Sequence, residues 1–153
     1  MTLEFGVREL EAQPIVGIRT TVAMSEIGNA MGPLFGELSG HIAQRGQEPA
    51  GMPLARYHSP PGETVELECA IPVESPMPGE DRVRPGELPA GRAATVTHLG
   101  PYDGLPQTWM ALTAWMESQG LEAADSPWEV YVNDPAAEPD QSRWRTDIFF
   151  PVR

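Results

Sequence analysis

The chain has 153 residues, of which 41% are hydrophobic, and its 22 acidic and 10 basic side chains give a formal net charge of −12. This length predicts one domain, and the acidity, without any Lys- or Arg-rich run, disfavours direct nucleic acid binding. The acidity is compatible with a cationic ligand or a basic protein partner, and solubility alone would also explain it. No signal peptide and no apolar stretch of the ~20 residues that span a membrane are visible, and the lone Cys69 fits a reducing compartment, so we expect a cytoplasmic protein with no membrane partner.

The first half of the chain predicts one strand, one helix and two further strands. In chain order these are strand 15–22, a helix from about Pro33 to Gly46, strand 54–58 and strand 65–71. Pro33 is tolerated in the first turn of a helix, and Gly46 supplies a left-handed stop. A turn at residues 59–62 joins the last two strands.

The second half predicts the same order of elements. These are strand 93–98, helix 105–119, and strands 128–132 and 146–150. Gly120 supplies the helix stop, as Gly46 does in the first half. Residues 74–81 form the predicted linker between the halves, with Pro85 and Pro89 behind it.

Several residues of the first half recur at a constant offset in the second half. Such pairs are Phe35 and Trp109, Gly46 and Gly120, and Tyr57 and Tyr131. We therefore predict an α+β fold of duplicated β-α-β-β units, about 5–74 and 82–153, forming two antiparallel sheets with one main helix each. A pseudo-two-fold axis between such units would leave a central ligand cleft, because ligand sites favour interfaces of this kind.

The run WEVYV alternates strictly, so Glu129 and Tyr131 share one face of the predicted strand. Ala55 and Tyr57 take the matching positions in the first half, which predicts a pocket with two tyrosines and one carboxylate. Such a carboxylate attracts a delocalised cation, and desolvation also suits a carboxyl group to general acid–base chemistry. The alternative is that Glu129 lies on a solvated sheet face or pairs with Arg145.

All four tryptophans lie in the second half. Trp115 flanks the core stripe of its helix and Trp144 precedes the last strand, so both are predicted to bind ligand, together with Phe149 of that strand. Trp109 is expected to fill the core, and His98 is expected to be structural. The histidines show no metal-ligand spacing, so we predict no metal and no cofactor.

Four segments resemble the GyrI-like small-molecule-binding family, which includes the effector-binding domain of multidrug-responsive bacterial transcription activators. The segments are 98–109 (HLGPYDGLPQTW), 119–120 (QG), 128–135 (WEVYVNDP) and 145–152 (RTDIFFPV). The resemblance, from about residue 7 to 152, implies a duplicated β-α-β-β domain whose central cleft accepts bulky, planar, often cationic or aromatic compounds. In the family, a glutamate on the penultimate strand contacts the ligand's positive charge. The resemblance implies this role for Glu129, with Tyr131 beside it.

Three functions are compatible with this resemblance. No helix-turn-helix segment precedes the domain, so we expect no DNA-binding domain and no direct nucleic acid partner. The favoured function is a stand-alone multidrug-binding protein for hydrophobic or cationic aromatic small molecules. A branch of the family hydrolyses cyclopropane-bearing DNA alkylators, which would make Glu129 and Tyr131 catalytic. Another member inhibits DNA gyrase, a function that needs a protein partner.

Overall fold

A computed structural model of the protein describes residues 3–60, 62–133 and 137–153. Its elements in chain order are β1 (Phe5–Leu10), β2 (Gln13–Ala23), α1 (Ile27–Gln44), β3 (Leu54–Tyr57), β4 (Thr64–Pro72), β5 (Val83–Leu88), β6 (Gly91–Leu99), α2 (Leu105–Ser118), β7 (Trp128–Tyr131) and β8 (Arg145–Pro151). This content confirms the predicted α+β class. Pro61 of the predicted turn, and Asp134 and Pro135 of the family-like segment, lie outside the described residues.

The chain divides into two compact units. The first unit contains residues 12–89, and the second contains the described residues of 1–11 and 90–153. Each has the predicted β-α-β-β order, β2-α1-β3-β4 and β6-α2-β7-β8. The division into two separate sheets, the pseudo-two-fold axis and the central cleft stay predictions. No helix in the described part of the chain is long and apolar enough to cross a membrane.

In the first unit, α1 packs on a sheet of antiparallel strands in the order β3-β4-β2-β5. The predicted helix start was wrong, because α1 begins at Ile27 and Pro33 lies inside it. An interior proline costs about 3 kcal/mol. Burial of Leu34, Leu38 and Ile42 offsets this cost, since each apolar side chain contributes about 1.5–3 kcal/mol. The predicted stop is confirmed, because Gly46 follows the helix with a φ of +69°.

The structure contains two edge strands that the sequence pattern does not predict. The strand β5, which contains Pro85, pairs with β2, and β1 pairs with β6 of the second unit. An edge strand has one neighbour, so it tolerates proline and needs no continuous apolar pattern. Residues 5–10 therefore pair within the second unit, although they were assigned to the first repeat.

In the second unit, α2 covers one face of a sheet with the order β1-β6-β8-β7. The core between helix and sheet consists of Ala94, Val96, Leu105, Leu112, Met116, Ile148 and Val152. Gly120, with a φ of +68°, ends the helix as predicted. The sheet therefore has an α2-covered face and an opposite face, and these two faces organise the candidate site.

Candidate functional site

Strand β7 presents Glu129 and Tyr131 to the α2-covered face of the second unit's sheet. In the pairing of β7 with β8, Glu129 lies opposite Ile148 and Tyr131 lies opposite Thr146. Directly opposite residues of an antiparallel pair share a face, and Ile148 belongs to the core that α2 covers. Glu129 is only 2% exposed. The alternative of a solvated Glu129 is therefore wrong.

Arg145 is engaged on the opposite face of the same sheet. Its guanidinium donates to both carboxylate oxygens of Asp147, at 2.9 and 3.2 Å. This hydrogen bonding raises the pKa of Arg145 above its ordinary value. Because Asp147 lies opposite Val130, its side chain points away from the α2-covered face. The structure thus pairs Arg145 with Asp147, on the face opposite to Glu129.

Trp109 connects α2 to Glu129. Its indole Nε1 donates a hydrogen bond to Glu129 Oε1 at 3.0 Å, and its ring contacts Phe150 edge to face, with centroids 6.4 Å apart. Trp109 also packs against the core, as expected. The hydrogen bond was not predicted, although a buried indole N–H usually finds an acceptor. An indole donor is neutral, so this contact orients the carboxylate without contributing a positive charge.

Tyr102 joins two of the predicted ligand-binding residues. Its ring contacts Tyr131 edge to face at a centroid distance of 5.7 Å and lies against Trp144 at 5.0 Å. The Trp144 indole donates to the carbonyl oxygen of Glu138 at 2.8 Å, which fixes that ring. Tyr102 lies in the turn between β6 and α2, and the sequence pattern does not predict it as a site residue. Trp144, Tyr102 and Tyr131 therefore form a row of three aromatic rings. Tyr131 shares its face of β7 with Glu129.

His98 holds this turn against the start of α2. Its Nε2 lies 2.9 Å from the carbonyl oxygen of Pro101, and its Nδ1 lies 2.7 Å from Thr108 Oγ1. A carbonyl only accepts, so Nε2 carries a proton, and in the neutral ring Nδ1 accepts from the Thr108 hydroxyl. A Cβ atom at Gly104 would lie 2.9 Å from the His98 ring. His98 therefore has the structural role that was expected, and it positions the segment that carries Tyr102.

Trp115 and Phe149 lie elsewhere in the second unit. Trp115 is six residues beyond Trp109 on α2, about 9 Å along the helix axis, and it stacks on Phe5 at 5.5 Å. Phe149 lies opposite Trp128 and stacks on it at 5.7 Å, on the sheet face that does not carry Glu129. The structure thus shows packing contacts for both residues, and their role in ligand binding stays a prediction.

Ala55 and Tyr57 occupy the corresponding strand of the first unit. They lie opposite Cys69 and Leu67 on β4, as Glu129 and Tyr131 lie opposite residues of β8. Ala55 is fully buried. That Ala55 and Tyr57 contact the same ligand as Glu129 stays a prediction.

The chain matches the family model of the GyrI-like small-molecule-binding domain over residues 3–153. The chain belongs to this family. It is similar to EcmrR in a complex with DNA, with 25% identity, a TM-score of 0.89, and coverage of 99% of this chain and 57% of the EcmrR chain. The isolated EcmrR C-terminal domain is 24% identical, with a TM-score of 0.84 over 100% of this chain and 99% of that domain.

The chain is also similar to the structure of SAV2435 bound to tetraphenylphosphonium. SAV2435 is 13% identical to this chain, with a TM-score of 0.72 and coverage of 98% of this chain and 94% of that chain. At this identity, the likeness establishes the fold alone. Together the comparisons confirm the GyrI-like fold and a small-molecule-binding domain.

Proposed function

We propose that this protein binds bulky or planar aromatic cations on the α2-covered face of its second unit and acts as a multidrug-binding protein. Glu129 supplies negative charge, and the rings of Tyr102, Trp109, Tyr131 and Trp144 supply aromatic surface. The observation that carries the proposal is a glutamate side chain that is 2% exposed and held by an indole N–H at 3.0 Å, in a small-molecule-binding family.

Aromatic rings and a carboxylate attract the same ligand for different reasons. A cation within about 6 Å of a ring centroid gains about 0.5–2 kcal/mol from the ring quadrupole. A unit positive charge about 6 Å from a carboxylate gains roughly 2–3 kcal/mol at an effective dielectric constant of about 20. The formal net charge of −12 also attracts cations at long range.

The expected affinity is micromolar, or about −8 kcal/mol. Apolar burial of the ligand's rings provides most of the favourable free energy. Ordering of ligand and side chains opposes it, so a large contact area does not by itself give nanomolar binding. An affinity of this size suits a site that accepts several ligands of one chemical class.

Calorimetric titration with tetraphenylphosphonium, the compound bound to SAV2435, tests the proposal. We expect saturable binding, and we expect Glu129→Gln to weaken it by about 10- to 100-fold, because the charge interaction is lost. The neutral analogue triphenylphosphine oxide should bind wild type and Glu129→Gln equally.

Asp147→Asn is the matched control. It removes the same charge from the opposite face of the same sheet, so the tetraphenylphosphonium affinity should stay within about 2-fold of wild type, since only screened long-range attraction is lost. Equal weakening by both variants would assign the effect to overall charge. An unchanged affinity in Glu129→Gln would remove this residue from the site.

A further inference from the structure

Thr146 carries a buried hydroxyl group without a hydrogen-bond partner. Thr146 is fully buried, and its Oγ1 has no hydrogen-bond partner in the part of the chain that the structure describes. Buried hydroxyls are nearly always hydrogen-bonded, because leaving one unpaired costs free energy. A valine would fill the same space without this cost. A function that uses the hydroxyl oxygen would explain why this position is a threonine.

The position of Thr146 places this oxygen on the face that carries Glu129. Thr146 lies on β8 between its two neighbours, opposite Tyr131 of β7 and opposite His98 of β6. Both ring nitrogens of His98 are already bonded, to Thr108 and Pro101. Glu129 is the diagonal neighbour, at a separation of roughly 7–8 Å. One aromatic ligand is long enough to reach both side chains.

The negative charge proposed for the neighbouring Glu129 indicates which chemical group of a ligand would bind Thr146. A threonine hydroxyl can accept a hydrogen bond from an N–H group. An amino group conjugated to a cationic ring is a strong donor, because positive charge shortens and strengthens such hydrogen bonds. A ligand that places its charge near Glu129 and an aryl amine near Thr146 would satisfy both residues.

We infer that Thr146 is a specificity-determining residue, whose hydroxyl accepts a hydrogen bond from amino-substituted aromatic cations. The inference rests on the proposed function of the same face. Since Oγ1 is covered in this structure, the ligand reaches it by displacing a neighbouring side chain such as Tyr102. Tyr102 contacts Tyr131 and follows Gly100 and Pro101 in the turn before α2.

Two cations that differ in N–H donors test the inference. Ethidium carries two aryl amines, whereas tetraphenylphosphonium carries no N–H group. We expect Thr146→Val to weaken ethidium binding about 5- to 10-fold, the size of one hydrogen bond. Binding of tetraphenylphosphonium should change less than about 2-fold, because no hydrogen bond to that ligand is lost.

Two further variants separate the hydroxyl from packing. Thr146→Ser keeps the hydroxyl and should retain ethidium affinity within about 2-fold of wild type. Thr95→Val makes the same change on the opposite sheet face, opposite Phe149, and should leave both affinities unchanged. Thermal unfolding should show Thr146→Val to be at least as stable as wild type, because an unpaired buried oxygen is removed.

The possible failures are distinguishable. If wild type binds neither cation, the proposed function and this inference fall together. If wild type binds tetraphenylphosphonium through Glu129 while Thr146→Val leaves ethidium affinity unchanged, only this inference is overturned. Equal weakening of both ligands by Thr146→Val would assign Thr146 to packing and would also overturn it.

Discussion

Replacing Trp109 with phenylalanine removes the indole N–H that Glu129 accepts at 3.0 Å and keeps a ring beside Phe150. A hydrogen bond to a charged group contributes about 1.5–3 kcal/mol to the free energy of unfolding. Loss of ring volume adds about 1 kcal/mol. Trp115→Phe is the matched control, since Trp115 is also partly buried on α2 and stacks on Phe5. Trp109→Phe should therefore be about 1.5–3 kcal/mol less stable than Trp115→Phe.

Urea unfolding followed by far-ultraviolet circular dichroism measures this difference without relying on the replaced fluorophore. In thermal unfolding, the same stability difference between the two Trp→Phe variants corresponds at this chain length to about 3–12 °C in the unfolding temperature. A double-mutant cycle with Glu129→Met isolates the pair, and its coupling energy should be about 1.5–3 kcal/mol. Equal destabilisation by the two Trp→Phe variants, with coupling near zero, would refute the assigned role of the hydrogen bond.

Other residues give three further predictions. Burial raises the pKa of the Cys69 thiol to about 12, so at pH 8 only about one molecule in ten thousand is a thiolate, and Ellman's reagent should label the protein only after denaturation. Gly104→Ala should lower stability by about 1–3 kcal/mol, because the new Cβ would lie 2.9 Å from the His98 ring; unchanged thermal unfolding would contradict that contact. Gly36→Ala should raise stability by about 0.5–1 kcal/mol, since Gly36 lies inside α1 with open space around it; a lower unfolding temperature would be the contrary result.

The central strands and both helices were predictable because their own side chains specify them. The β-branched run of β2 and the helix stops at Gly46 and Gly120 are local signals, and the structure agrees with them. The strands β1 and β5 depend on partners that are distant in sequence. The start of α1 depends on tertiary burial that outweighs Pro33. Local patterns do not contain this information.

The part of the candidate site that lies on β7 was predictable from the alternation of its side chains. Alternation placed Glu129 and Tyr131 on one face, and burial of Glu129 agrees with an inward orientation. The contacts of Tyr102 and Trp109 depend on how α2 and the preceding turn lie over the sheet. The same alternation rule places Phe149 on the opposite face of the sheet, and its role in ligand binding stays a prediction.

The central claim is that an aromatic cation binds beside the buried carboxylate of Glu129. Crystals soaked with tetraphenylarsonium test it directly, since arsenic gives an anomalous signal at the centre of the cation. We predict an anomalous peak on the α2-covered face of the second unit, close to Glu129 and within about 6–7 Å of an aromatic ring, and a weaker peak in Glu129→Gln crystals soaked at the same concentration near the wild-type Kd. A peak confined to the opposite sheet face or to exposed acidic side chains would contradict the account.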